Sequence, residues 1–367
     1  MTVRQELYSV ISRCLLLAAL LGVIVLVSET FGSTSLQREV TTMLIYVTIV
    51  VGIFMFSGLS GVLSFGHIGF VAVGAYVAAW VTIPPVLKGT LLDGIPSFVQ
   101  NMEVGLVPGA LLAGATAAVV AGVLGFPIMR LVGLAASLAT FALLVIINEV
   151  AKAWDAGTNG TESVFGLPSN TTSSVALAFA CVTIVAAALF ERSTIGLRLR
   201  ASREDPLAAK AAGIRVTPER LIAFVVSAFF VGMGGFLFAQ FLGSFNPDAF
   251  YTRITLLTLS MLVVGGLTSL TGAVIGTVLL SAVASVLLRV QEDGIGLGPV
   301  SVHTPPGLVE LGIAMALLLI LIFRPLGLVS GAPGRALGPR MQARAVRAWI
   351  MRAARRPLPA EGPQGDE

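Results

Sequence analysis

Apolar residues recur in long runs from one end of the chain to the other, separated by short polar or glycine-rich intervals. Ten runs are legible, near residues 11–28, 40–59, 67–82, 106–125, 134–152, 174–190, 220–243, 254–270, 272–290 and 306–323. Most approach the roughly 20 residues that a helix needs to cross the hydrocarbon core of a bilayer. Only helices and closed barrels satisfy their backbone groups there. The pattern therefore predicts an all-α, polytopic membrane bundle of about ten transmembrane helices over residues 1–330. A basic tail over 331–367 follows it.

Two of the intervals depart from ordinary loops. Ser57-Gly-Leu-Ser-Gly-Val-Leu-Ser-Phe-Gly-His-Ile-Gly-Phe-Val-Ala-Val-Gly-Ala-Tyr76 and Val264-Gly-Gly-Leu-Thr-Ser-Leu-Thr-Gly-Ala-Val-Ile-Gly276 sit between apolar runs too close for a solvated turn. They fall at comparable places in the two halves of the chain. Broken helices at matching positions point to a transport site. Small residues at four-residue spacing also let helix backbones approach, so tight packing is the plainer reading of any single glycine.

A third interval, Glu191–Arg220, is a polar island carrying many of the chain's basic residues. A short helix is written inside it. Asp205 suits an N-cap, Pro206 the first helical position and Gly213 the position just past the end. Leu207, Ala208, Ala209, Ala211 and Ala212 are small or apolar, which suits docking into a groove. Arg203, Glu204 and Lys210 are placed to orient such a contact. The alternative is a solvated loop held in place by its arginines.

Composition agrees with the pattern. The 367 residues are 56% hydrophobic and 11% charged, against roughly 25% charged in soluble proteins, and mean hydropathy is +0.94. Of the 23 Lys and Arg residues, only Arg38, Lys88, Lys152, Arg253 and Arg289 fall away from one side of the predicted membrane. The positive-inside rule then places both termini in the cytoplasm. The first run follows Arg4 and Arg13 as a signal peptide would, but continues Val27-Ser-Glu-Thr30 with no small-x-small cleavage site, so a retained helix is expected. Cys14 and Cys181 both lie in apolar runs, which argues against a disulfide framework. Neither a P-loop nor a metal-ligand spacing is present. No catalytic residue, no metal site and no nucleic-acid partner is expected, and Glu149 is expected to pair with Lys152 one helical turn on. Pro339–Arg356 can form a basic amphipathic helix on an anionic leaflet, or be a disordered charged end.

The stretch Gly58–Tyr76 resembles the glycine-rich signature of LivM-type permeases, the membrane subunits of branched-chain amino-acid ABC importers. Thr140-Phe-Ala, with Thr158-Asn-Gly-Thr161 and Gly166-Leu-Pro168, resembles the family's central helix and outer loop. Gly196–Ile214 is similar to its cytoplasmic coupling segment, and Phe323-Arg-Pro-Leu-Gly-Leu328 to its closing motif. The resemblance covers roughly residues 40–330. The Arg-rich tail, Glu310 inside the last run and Glu162-Ser-Val in the outer loop depart from it.

The resemblance implies a permease of the bacterial inner membrane, not an enzyme, that moves leucine, isoleucine and valine. It implies a second related permease, two ABC ATPase subunits that hold the ATP and Mg, and a periplasmic substrate-binding protein. The coupling contact then falls on Arg203, Glu204, Asp205, Pro206, Leu207, Ala209, Lys210 and Gly213. A branched-chain amino acid is a zwitterion, and a half-helix N-terminus can offer N–H donors to its carboxylate. Gly66-His67 lies where such a half-helix begins. Ser57, Ser60 and Ser64 add hydroxyls, Phe65 adds an apolar wall, and Gly265 and Gly266 supply the matching break. His67 either contacts substrate or ties two helices together. Urea, short amides or another small organic solute fit the same importer class. A self-contained secondary transporter is the alternative from another class, with Glu310 as its relay residue.

Overall fold

The computed structural model describes residues 3–329, apart from 294, 298–299, 303–306 and 325–326. The tail over 331–367, with its candidate amphipathic helix, lies outside the described residues. The fold is a polytopic helical bundle. Its first half comprises α1 (Val3–Phe31), α2 (Thr34–Ile53), α3 (His67–Thr82), α4 (Pro85–Leu91), α5 (Ser97–Gln100), α6 (Leu106–Ile128) and α7 (Leu134–Ala153). There follow α8 (Asp155–Thr158), α9 (Ser173–Arg192), α10 (Thr194–Glu204), α11 (Pro206–Ala211) and α12 (Val216–Leu242). The last three are α13 (Thr252–Gly265), α14 (Leu270–Asp293) and α15 (Leu308–Phe323). Among the described residues eight helical segments are long and apolar enough to cross a membrane. Two shorter apolar helices, His67–Thr82 and Val309–Ile320, complete the ten runs read from the sequence.

Polar residues start the helices where the sequence places them. Ser33 accepts the Leu36 amide and opens α2 six residues before its apolar run begins. Thr172 and Ser193 do the same for α9 and α10 through the Val175 and Gly196 amides. Each removes one of the unpaired donors of a first helical turn. The polar island holds two helices rather than one, because Ser193 caps α10 ahead of the cap at Asp205.

The core is built on α12. Small residues let α3 and α6 approach it closely: Gly235 lies against the Val71 backbone, and Gly232 against Gly114 and Ala117. On its other side Ser227 Oγ donates to the Gly52 carbonyl of α2 at 2.7 Å. In a bilayer such close packing and interhelical hydrogen bonds hold helices together, since lipid is as apolar as their side chains. Around this core, α1, α6, α7 and α9 expose Leu15, Leu16, Val119, Val123, Leu134 and Val182. That outward apolar surface matches a hydrocarbon surrounding.

The connections at the far end from α10 and α11 are structured. Lys88 is fully buried, and its Nζ donates to the carbonyls of Trp80 at 2.9 Å, Val99 at 3.2 Å and Met102 at 2.5 Å. Three ammonium protons meet three acceptors. Burial lowers the Lys88 pKa below its ordinary value, against a smaller opposing influence from Glu103. The short antiparallel strands β1 (Val164–Phe165) and β2 (Ser244–Phe245) join the loops after α8 and α12. Lys152 reaches Asp248 at 2.7 Å, in a 3-10 turn over Pro247–Phe250. Glu149 interacts with Lys152 through its charge, as expected, but the hydrogen-bonded partner of Lys152 is Asp248 on another element, which the spacing along one helix does not reveal.

Candidate functional site

The first broken segment is a device of several parts. After Ile53 the backbone widens into a π-turn over Phe54–Gly58, all of it buried. Such turns absorb an irregularity in a helix and concentrate at functional sites. The chain then unwinds, and α3 restarts at His67 behind Gly66 with no side-chain cap. Ser57 Oγ accepts the Ser64 amide at 3.3 Å, and Ser60 Oγ accepts the Val62 amide at 3.3 Å. Ser64 Oγ lies 2.7 Å from His67 Nδ1. The Thr140 stretch of α7 braces the loop from outside. Thr140 Oγ1 accepts the Phe65 amide, Gly66 lies on the Thr140 backbone, and the Phe65 and Phe141 rings meet edge-on.

His67 is fully buried among Phe56, Phe70 and Phe224, with ring centroids 5.5, 5.9 and 5.1 Å away. Its ring bridges α3 to α12, and Nδ1 is committed to Ser64. Nε2 has no hydrogen-bond partner among the described residues.

The second broken segment is a helix hairpin. α13 ends at Gly265, and Gly266 takes φ +121°, ψ 106°, a conformation suited only to glycine. α14 returns so closely that Gly265, Gly272 and Gly276 touch backbone to backbone. The closing stretch pairs with this hairpin through Leu328 and Val329, whose amides donate to the Val264 and Gly265 carbonyls at 2.9 Å. The two broken segments meet directly. A Cβ placed on Gly58 would stand 2.6 Å from the Leu267 carbonyl oxygen.

The polar island reaches the same point. Asp205 Oδ1 accepts the amides of Leu207 at 2.9 Å and Ala208 at 3.0 Å. At the other end Gly213 has φ +82°. Gly213 donates to the Lys210 carbonyl and Ile214 to the Ala209 carbonyl, the two bonds of a Schellman closure. Pro206, Leu207 and Lys210 face solvent, with Leu207 78% exposed. Ala209 is turned inward and only 5% exposed, so it lies off the presented face. Arg203, at the end of α10, donates from Nη1 to the Gly58 carbonyl at 2.9 Å and spreads over Gly61. Its Nε and Nη2 hold Glu204 at 3.2 and 2.7 Å. That hydrogen bond, then the arginine's charge, keeps the Glu204 carboxyl below its usual pKa. Arg198–Glu219 at 2.8 Å and Arg200–Glu191 at 3.4 Å fasten α10 to α12 and α9.

At the opposite end of the bundle a cavity of about 780 Å³ opens between α2, α12, α13, α14 and α15. None of the serines or glycines singled out in the two broken segments lines it. Its walls are largely apolar, with Met43, Phe238, Leu257, Met261 and Leu317 among them. Its charged lining residues are Glu39, Asp248, Arg253 and Glu310. Arg253 Nε lies 2.9 Å from Glu310 Oε1, and Glu39 Oε2 lies 2.9 Å from Arg289 Nη2 just outside the lining. Sequence reasoning singled out Glu310 but not Arg253 or Glu39. Their signal was faint: charges at the ends of three separate runs that only the fold brings together.

This arrangement defines a multi-pass membrane transport protein, with a helix exposed on a polar loop and broken helices behind it. The family described as "Branched-chain amino acid transport system / permease component" matches residues 35–323, and the chain belongs to that family. It is 27% identical over 318 residues to the high-affinity branched-chain amino acid transport system permease protein LivM of Salmonella typhimurium. That alignment covers 76% of this chain and 68% of the relative. It is also 27% identical over 274 residues to the protein of the same name from Escherichia coli, covering 65% of this chain and 60% of the relative. No solved structure matches.

Proposed function

We propose that this chain is the permease subunit of an ATP-driven importer that carries leucine, isoleucine and valine across a bacterial inner membrane. Both termini then lie in the cytoplasm, and membrane lipid surrounds the bundle. ATP and Mg belong to two partner ATPase subunits. A second related permease completes the membrane unit, and a periplasmic binding protein delivers substrate. The family and the two relatives support the substrate class.

The observation that carries the coupling part is the bond from Arg203 to the Gly58 carbonyl. In this reading the ATPases push on α11 through Leu207, with Lys210 and Glu204 setting orientation. Arg203 carries the movement into the π-turn, and Gly58 carries it to the α13–α14 hairpin through Leu267. Ser57, Ser60, Ser64, Phe65, Gly66 and His67, with Gly265 and Gly266, then form the cytoplasmic constriction of the pathway. Glu310 does not favour a self-contained secondary transporter, because it is half exposed and paired with Arg253 near the helix end. A proton relay calls for ionisable groups deep in the spans.

The test is to produce the chain with its ATPase, permease and binding-protein partners and measure two things. A Leu207→Cys variant is expected to cross-link to an ATPase subunit, and vesicles are expected to take up leucine only with ATP. Uptake of urea or a short amide in its place would keep the importer and change its cargo. Uptake without ATP would overturn the reading.

A further inference from the structure

We propose that the cavity between α2 and α12–α15 is a binding site for a zwitterionic amino acid, held before it reaches the constriction. This inference rests on the substrate class proposed above and adds the residues that would recognise it.

Arg253 and Glu310 form a neutral pair at the border of an apolar chamber. An amino acid brings its own carboxylate and ammonium. Inserted between the two side chains, it exchanges one ion pair for two, carboxylate on Arg253 and ammonium on Glu310, and no charge is left alone. A lone anion or cation would break the existing pair and match only one of its two members. Glu39 and Asp248 supply two further carboxylates at the same border, already paired with Arg289 and Lys152.

The rest of the chamber suits the other half of such a ligand. Ligand sites are mostly apolar with a few placed polar groups, and here Phe238, Met261, Ile313 and Leu317 lie beyond the charged border. Ser281 Oγ is buried there without a hydrogen-bond partner among the described residues. The volume exceeds that of one branched side chain, which fits a site that receives several related side chains and releases them. Two walls of the chamber, α13 and α14, are the arms of the Gly265–Gly276 hairpin. A shift at the hairpin would change the chamber's shape.

The experiment uses the assembled importer in vesicles, with Cys14 and Cys181 replaced by serine and Ala314→Cys placed in the cavity wall. The rate of maleimide labelling is measured with leucine, leucinol, 4-methylpentanoate or urea. Leucine is expected to slow labelling about tenfold when present at about ten times its dissociation constant. Leucinol lacks the carboxylate and 4-methylpentanoate lacks the ammonium, so neither should protect at the same concentration. Arg253→Gln and Glu310→Gln should each remove protection, and Arg253→Lys should keep part of it. Leucine uptake without protection of the cysteine would overturn the site and leave the importer standing. Protection by urea, with no leucine uptake, would overturn the substrate reading itself.

Discussion

The two ends of this bundle are built on opposite principles. At one end the π-turn, the α13–α14 hairpin and the α10–α11 loop meet through glycine backbones and one arginine, with no room for a side chain at Gly58 or Gly265. At the other end five helices stand apart around a chamber of about 780 Å³ bordered by ion pairs. Close backbone contact transmits displacement, because packed interfaces switch between arrangements rather than deform smoothly. A roomy, largely apolar chamber can hold a solute. In the proposed function the tight end carries force and the open end recognition.

The largest effect expected from breaking the contrast is at the hairpin. Gly265→Val forces a side chain into the Gly272 and Gly276 backbones. It should cost about 1–3 kcal/mol of stability, as overpacking does, and abolish uptake; thermal unfolding in detergent and vesicle transport check both. Filling the chamber instead, with Ala284→Phe, should lower uptake while leaving the unfolding temperature within a few degrees.

Lys88 sharpens the contrast from outside it. Lys88→Met strips three carbonyls of their donor and should cost about 1–3 kcal/mol, read as a lower unfolding temperature with the coupling cross-link unchanged. The same lysine sets a pH dependence. Its folded pKa lies below 10.5, so between that lowered value and 10.5 the unfolded chain binds more protons. Stability from this group therefore rises with pH across that alkaline window, and Lys88→Met should flatten the rise.

A smaller effect belongs to Asp205→Ala, which removes the cap of α11 and should cost about 1 kcal/mol. It should also slow cross-linking from Leu207→Cys. The smallest belongs to Glu204→Gln: the carboxylate is exposed, so stability should stay near wild type while cross-linking from Leu207→Cys slows modestly.

Much of this was legible in the sequence because it is local. Among the described residues each apolar run coincides with a helix, and Asp205, Pro206 and Gly213 stand at the helix positions their chemistry favours. The breaks at Ser57–His67 and Gly265–Gly266 are visible as glycine and serine spacing. What was not legible is long-range. Arg203 and Gly58 are 145 residues apart, and Arg253, Glu310 and Glu39 come from three different helices. Lys152 hydrogen-bonds across to Asp248 rather than along its own helix because the turn after α12 folds back over it. The inward face of Ala209 depends on how α11 lies against the bundle, which its own small side chains do not specify. α10 was missed because arginines mask a helix whose start is marked only by Ser193.

The central claim is that Arg203 couples the cytoplasmic helix to the broken segments, and contiguity becomes coupling only when disturbing it changes both ends. The deciding measurement compares ATP hydrolysis with leucine uptake in vesicles of the assembled importer carrying Arg203→Ala. The account predicts that the ATPases stay bound and hydrolyse ATP while uptake falls at least about tenfold, a loss of more than 1.4 kcal/mol of coupling. Uptake and hydrolysis that remain in their wild-type ratio would contradict it.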